Sequence, residues 1–126
     1  MPDTRSPEEA PRRPSRRNVR PRRAVVVDES MLPALRPGDR LVVDVTVYRR
    51  RPPEVGEVVV LADPERRVRW LVKRVTAVDP VAGTVEVRGD AAHLARDSRR
   101  FGPVPVGTLA GRAVRIYVPL ERARDL

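Results

Sequence analysis

The 126-residue chain carries 26 basic against 17 acidic residues, a net charge of +9, with no cysteine and one histidine. Its length gives room for one domain. The lack of cysteine excludes disulfides, a thiol nucleophile and thiolate metal ligation, and the lone His93 excludes a multi-histidine centre, so no metal or other cofactor is expected.

Residues 1–23 hold eight arginines against Asp3, Glu8 and Glu9, more than half of the net charge. This Arg/Pro-rich segment has too few apolar side chains to offset ordering entropy, and it predicts a disordered tail. No apolar core follows the arginines, so the segment does not read as a secretory signal, and no stretch approaches a membrane span. The expectation is a cytoplasmic chain whose membrane contact is at most peripheral. Residues 24–126 are only mildly basic, and four scattered aromatics are too few to stack bases, so no specific nucleic-acid partner is expected.

From residue 24 the pattern becomes short valine-rich runs separated by turn residues. AVVVD (24–28) predicts a first strand, and ESMLPALRPGD (29–39) is interrupted by Pro33 and Pro37 and closed by a Gly38-Asp39 turn. RLVVDVTVY (40–48), EVVVLA (57–62), VRWLVKRVTAV (68–78), TVEVR (84–88) and RAVRIYV (112–118) predict five more strands. A long loop with one helical turn is expected over 89–107. The whole reads as an all-β, small antiparallel, barrel-like fold.

Of the basic residues, 25 are arginine and one, Lys73, is lysine, placed in the longest apolar strand. Arginine stays protonated, whereas a desolvated lysine can lose its proton and act as a base. Period-two alternation puts Lys73 on one face with Leu71 and Val75 and turns Arg74 to the other. Only two serines lie beyond the tail. Ser30 stands at a strand end on a fixed turn, where a substrate can reach its hydroxyl, and it needs a base to become a nucleophile. The plainer readings are a capping serine and a lysine stem lying over the sheet with its head in water.

The two residues gain meaning together because SMLPALRPGD (30–39) resembles the nucleophile box of the type I signal peptidases. PEVGEVVV (53–60) is similar to the next box, VKRV (72–75) to the lysine box, and GDAAHLARDSRRFGPVPVGTLAGRA (89–113) to the C-terminal box. The resemblance implies a serine endopeptidase with a Ser/Lys dyad: Ser30 attacks the scissile carbonyl, Lys73 moves the proton, and the Ser30 backbone N–H donates to the oxyanion. It also implies that Asp97 and Arg99, with Ser98 between them, brace the site, and that Gly89 and Asp90 shape the turn behind the lysine. Met31 is a candidate wall of the substrate pocket.

Three positions depart from the family pattern. Asp28 stands where a serine can supply a second oxyanion donor, Ala91 where asparagine follows Gly-Asp, and Ala95 where a serine binds the lysine. No N-terminal membrane anchor is visible. Short members without one resemble the nickel-type superoxide dismutase maturation proteases, which implies a precursor protein with an N-terminal extension as substrate. The competing readings are a self-cleaving repressor-type Ser/Lys peptidase, a basic β-barrel that binds RNA, and a catalytically dead scaffold.

Overall fold

The computed structural model describes residues 21–94 and 96–126. The predicted tail therefore lies outside the described residues except at 21–23, which are drawn into the fold. Arg23 opens the first strand, and the Arg22 carbonyl accepts the Val43 N–H at 2.9 Å.

Among the described residues eight strands form one antiparallel sheet: β1 (Arg23–Val25), β2 (Arg40–Asp44), β3 (Val58–Asp63), β4 (Arg66–Asp79), β5 (Thr84–Arg88), β6 (Val104–Pro105), β7 (Leu109–Val118) and β8 (Arg124–Asp125). The spatial order is β1-β2-β7-β3-β4-β5-β6, with β8 paired to β7. The antiparallel β expectation holds, but the path is open, with β1 and β6 at its ends, rather than closed into a barrel.

Two differences from the sequence reading have local causes. The second strand stops at Asp44, because the Asp44 carboxylate accepts the Thr46 N–H at 2.8 Å and its hydroxyl at 2.9 Å. That Asx turn bends the chain into a helical turn, α1 (Val47–Arg50), where the alternation of VTVY suggested more strand. The loop over 89–107 holds a 3-10 turn (Ala92–Leu94), the short helix α2 (Ser98–Phe101) and β6, so it is more built than expected.

β3 is apolar on both faces because both are covered. Val59 and Leu61 pack with Leu71, Val75, Val85, Val87, Val104 and Leu109, while Val58 joins Met31, Leu35, Leu41, Ala113 and Ile116 on the other side. Burying each of these side chains stabilises the fold by about 1.5–3 kcal/mol. β4 follows β3 in register, with Val59 opposite Lys73, and passes the pairing on to β5. This places Lys73 in the middle of the sheet. Among the described residues no helix is long and apolar enough to cross a membrane.

β2 approaches β7 closely at Gly111. A Cβ there would fall inside the van der Waals distance of the Asp44 carbonyl oxygen and 3.0 Å from Val43 Cγ1, with rigid backbone on one side. Gly111→Ala is expected to destabilise the domain by about 1–3 kcal/mol, as overpacking does. A lower urea midpoint with an unchanged slope would show it, and an unchanged midpoint would refute it.

Candidate active site

Ser30 follows β1 on a turn held from several directions. Gly38 has φ of 95°, which glycine adopts without a steric penalty, and its N–H donates to the Val26 carbonyl at 2.7 Å. The Val26 N–H donates in turn to the Asp39 carbonyl at 2.9 Å. Asp39 is buried, and its carboxylate accepts two bonds from Arg122, each 2.8 Å, and one from the Arg36 N–H at 2.9 Å. The hydrogen bonds from Arg122, with lesser charge from Arg122 and Arg124, outweigh burial and hold the Asp39 carboxyl below its usual range. Arg124 donates to the Ala34 carbonyl at 2.7 Å. The sequence reading saw only a turn at Gly38-Asp39 and missed the two arginines, which lie more than 80 residues away.

Lys73 is 2% exposed, on the face of β4 that also buries Leu71 and Val75, as alternation predicted. Its Nζ lies 3.1 Å from the Ser30 Oγ, and Ser30 itself is 3% exposed. Burial pulls the amine below the ordinary lysine value of 10.5. The negative charges of Asp28 and Asp97 resist that lowering, and the positive charges of Arg96 and Arg69 add to it. One further bond fixes Ser30: the Ala91 N–H donates to its carbonyl at 2.9 Å. Ala91 thus contributes through its backbone, which no side-chain pattern reveals.

The pair opens on a narrow cleft of about 20 Å³ bordered by Val25, Val27, Trp70 and Val72. Met31 also borders it but is 1% exposed, and most of its side chain belongs to the core. A larger cavity of about 230 Å³ lies between Ala34, Glu57, Arg74, Arg112 and Arg124, and its wall holds neither a hydroxyl nor a lysine. His93 is exposed on the Ala92–Leu94 turn. Among the described residues no group of three or more His, Asp or Glu could hold a metal ion.

The Ser30 N–H, expected to await an oxyanion, donates instead to Asp28 Oδ1 at 3.0 Å. Burial resists ionisation of Asp28, but the bonds from Ser30 and the charge of Lys73 outweigh it and lower the carboxyl below its usual value.

The residues after β5 form the support. Asp97 is buried and starts α2, accepting the Arg99 N–H at 3.0 Å. It also accepts the Gly89 N–H at 2.8 Å and bonds from the Arg99 guanidinium. The Ser98 hydroxyl accepts the Val87 N–H at 2.8 Å and so ties α2 to β5. Asp90 pairs with Arg74 through two bonds of 2.9 Å, on the strand face opposite Lys73. Arg96 bonds Asp63 on β3, a link that spacing did not suggest. Ala95 lies outside the described residues.

Burial disfavours the charged form of Asp97, yet the Arg99 and Gly89 bonds outweigh it and hold the carboxyl at about 2 against the ordinary 3.8. A depressed carboxyl stabilises the fold fully above about 3.8 and loses that contribution as pH falls through about 2. Asp97→Asn is expected to cost about 1.5–3 kcal/mol at neutral pH, the range for hydrogen bonds to a charged group. The loss should shrink at acid pH. Urea melts at pH 7 and pH 3 read both effects, and equal midpoints for the two proteins at pH 7 would refute the bracing role.

Comparison with known proteins adds a separate line of observation. The family described as "Signal peptidase, peptidase S26" matches residues 19–91, a span that contains both Ser30 and Lys73. The mitochondrial ATP-independent inner membrane protease subunit 1b of Arabidopsis thaliana is 37% identical over 113 residues, covering 73% of this chain and 67% of the relative. The mitochondrial inner membrane protease subunit 2 of Schizosaccharomyces pombe is 36% identical over 84 residues, covering 54% and 47% respectively. A Synechocystis protein named "Probable signal peptidase I-1" is 48% identical over 40 residues, covering 32% of this chain and 20% of its own. The chain therefore spans about two thirds of the plant relative and less than half of the yeast one. With this span of family match and this identity to proteases, the chain belongs to the signal peptidase family, peptidase S26, and is a serine-type endopeptidase.

Proposed function

We propose that this peptidase works through a Ser30/Lys73 dyad carried by residues 24–126, and that it removes an N-terminal leader or signal-like segment from a precursor protein. The observation that carries the proposal is the 3.1 Å approach of Nζ to Oγ between two buried side chains 43 residues apart. A structural lysine would lead its ammonium to water, whereas this one ends at a hydroxyl in a site that favours the neutral amine.

In the proposed reaction Ser30 Oγ forms a bond to the scissile carbonyl carbon as its proton passes to Lys73 Nζ. The tetrahedral intermediate collapses with cleavage of the C–N bond, and the ammonium returns the proton to the leaving amine. Water then attacks the acyl-enzyme by the same route, losing a proton to Lys73 and releasing the carboxyl product and the free serine. Asp97, Ser98, Arg99, Gly89 and Asp90 hold the lysine strand and the loop beside it, and Met31 forms the floor of the cleft.

A nickel-type superoxide dismutase precursor is the substrate we put forward, on the resemblance of SMLPALRPGD and DSRRFGPVP to that subgroup. The matched plant and yeast relatives are named as inner membrane proteases. A cytoplasmic location for this chain remains part of the proposal and rests on its sequence composition alone. Mass spectrometry of the precursor after incubation with the protein is expected to show loss of its N-terminal extension, and an intact precursor would remove this substrate from consideration.

Ser30→Ala and Lys73→Arg are each expected to lower kcat/KM for peptide cleavage by at least about 10³-fold, with melting temperature little changed in Ser30→Ala and the fold of Lys73→Arg checked by its circular dichroism. The arginine variant is the sharper test, because it keeps the positive charge and removes the base. Retained activity in Lys73→Arg would overturn the dyad. In the wild type, kcat/KM should rise with pH as the amine deprotonates, with a midpoint below the ordinary lysine value of 10.5, the direction set by burial.

A further inference from the structure

Asp28 stands two residues before the nucleophile, and its placement has a consequence for the dyad. A backbone N–H has one hydrogen, and that of Ser30 is given to the Asp28 carboxylate at 3.0 Å. A scissile carbonyl arriving over Ser30 would need the same hydrogen as its oxygen becomes an anion. A carboxylate is a stronger acceptor than a peptide carbonyl, so it holds the position against a ground-state substrate. Its negative charge also acts on the Lys73 amine and favours the ammonium, the form that cannot take a proton from serine.

Two further observations indicate that the contact is reversible. Asp28 is exposed, so its side chain has a path to water. The hydrogen bonds of its carboxylate go to Ser30, and it forms no ion pair among the described residues, in contrast to Asp97, Asp39 and Asp63, each held by an arginine.

We propose that Asp28 is a brake on Ser30: its carboxylate occupies the N–H that the scissile carbonyl oxygen needs and exerts a negative charge on Lys73, so the resting site is closed and a bound substrate opens it by moving the side chain into water. This inference rests on the Ser30/Lys73 reading and adds a positioning residue to it. The charged groups acting on Lys73 are Asp28 and Asp97, which favour its proton, and Arg96 and Arg69, which disfavour it. Arg69 and Lys73 act on Asp28 itself. Asp97 remains tied to Arg99 and Gly89 whatever stands at position 28.

Two substitutions separate the parts of the brake. Asp28→Ala removes both acceptor and charge, whereas Asp28→Asn removes the charge and keeps an acceptor oxygen for the Ser30 N–H. Because Lys73 is the chain's single lysine, ¹³Cε-labelled lysine gives one side-chain signal, and its pH titration reads this amine in the intact protein without reference to activity. The midpoint is expected to fall in both variants by at least about half a pH unit, the effect of losing a partly solvated opposite charge. For an internally quenched peptide with small residues before the cleaved bond, kcat/KM is expected to rise about 10-fold in Asp28→Ala and less in Asp28→Asn. The acid limb of the pH–rate profile should move down in both. An unmoved lysine signal, or a kcat/KM in Asp28→Ala equal to or below that of the wild type, would overturn the brake. If Ser30→Ala cleaves as well as the wild type, the dyad itself falls. If Ser30→Ala is inactive and Asp28→Ala matches the wild type, the brake falls alone.

Discussion

The site depends on keeping one amine out of water. An ammonium is stable in a sheet interior only when charge or hydrogen bonds replace its hydration, and here the nearest partner is a neutral hydroxyl. The carboxylates of Asp28 and Asp97 compensate in part, and burial still prevails. The surrounding construction follows from that constraint. Lys73 needs apolar neighbours on its own face, a central strand that does not fray, and a loop that brings a hydroxyl over it. β4 meets the first two needs through Leu71, Val75 and its pairing with β3 and β5. The segment between β1 and β2 meets the third.

That segment has little regular structure of its own, and its position is imposed from outside. The Ala91 N–H fixes the Ser30 carbonyl, Arg122 and Arg124 fix the turn behind it, and Met31 and Leu35 anchor it in the core. The loop is clamped by backbone bonds and anchored by buried side chains. Holding the Ser30 hydroxyl 3.1 Å from Nζ requires such anchoring.

How much of this was legible in the sequence depended on the range of the interaction. The face of Lys73 followed from period-two alternation, and the end of TVEVR at Arg88 from the Gly89-Asp90 that follows it. The strand over 40–48 was read too long, because an Asx turn at Asp44 overrides the preference of Val45, Val47 and Tyr48 for extended backbone. The ion pairs of Asp39, Asp63 and Asp90 were out of reach: in a chain with 25 arginines, composition cannot say which arginine meets which carboxylate. Asp28 was legible only as a departure from a serine donor. Only the coordinates place its carboxylate on the N–H of the nucleophile.

The bond from Arg122 to Asp39 joins residues 83 apart in the chain. Contacts of such long sequence separation form late in folding, because the intervening chain must first be ordered. A nascent polypeptide that ends before Arg122 carries the Ser30 hydroxyl but lacks the clasp that holds its turn. The turn that carries Ser30 therefore takes its final position only once nearly the whole chain has been made.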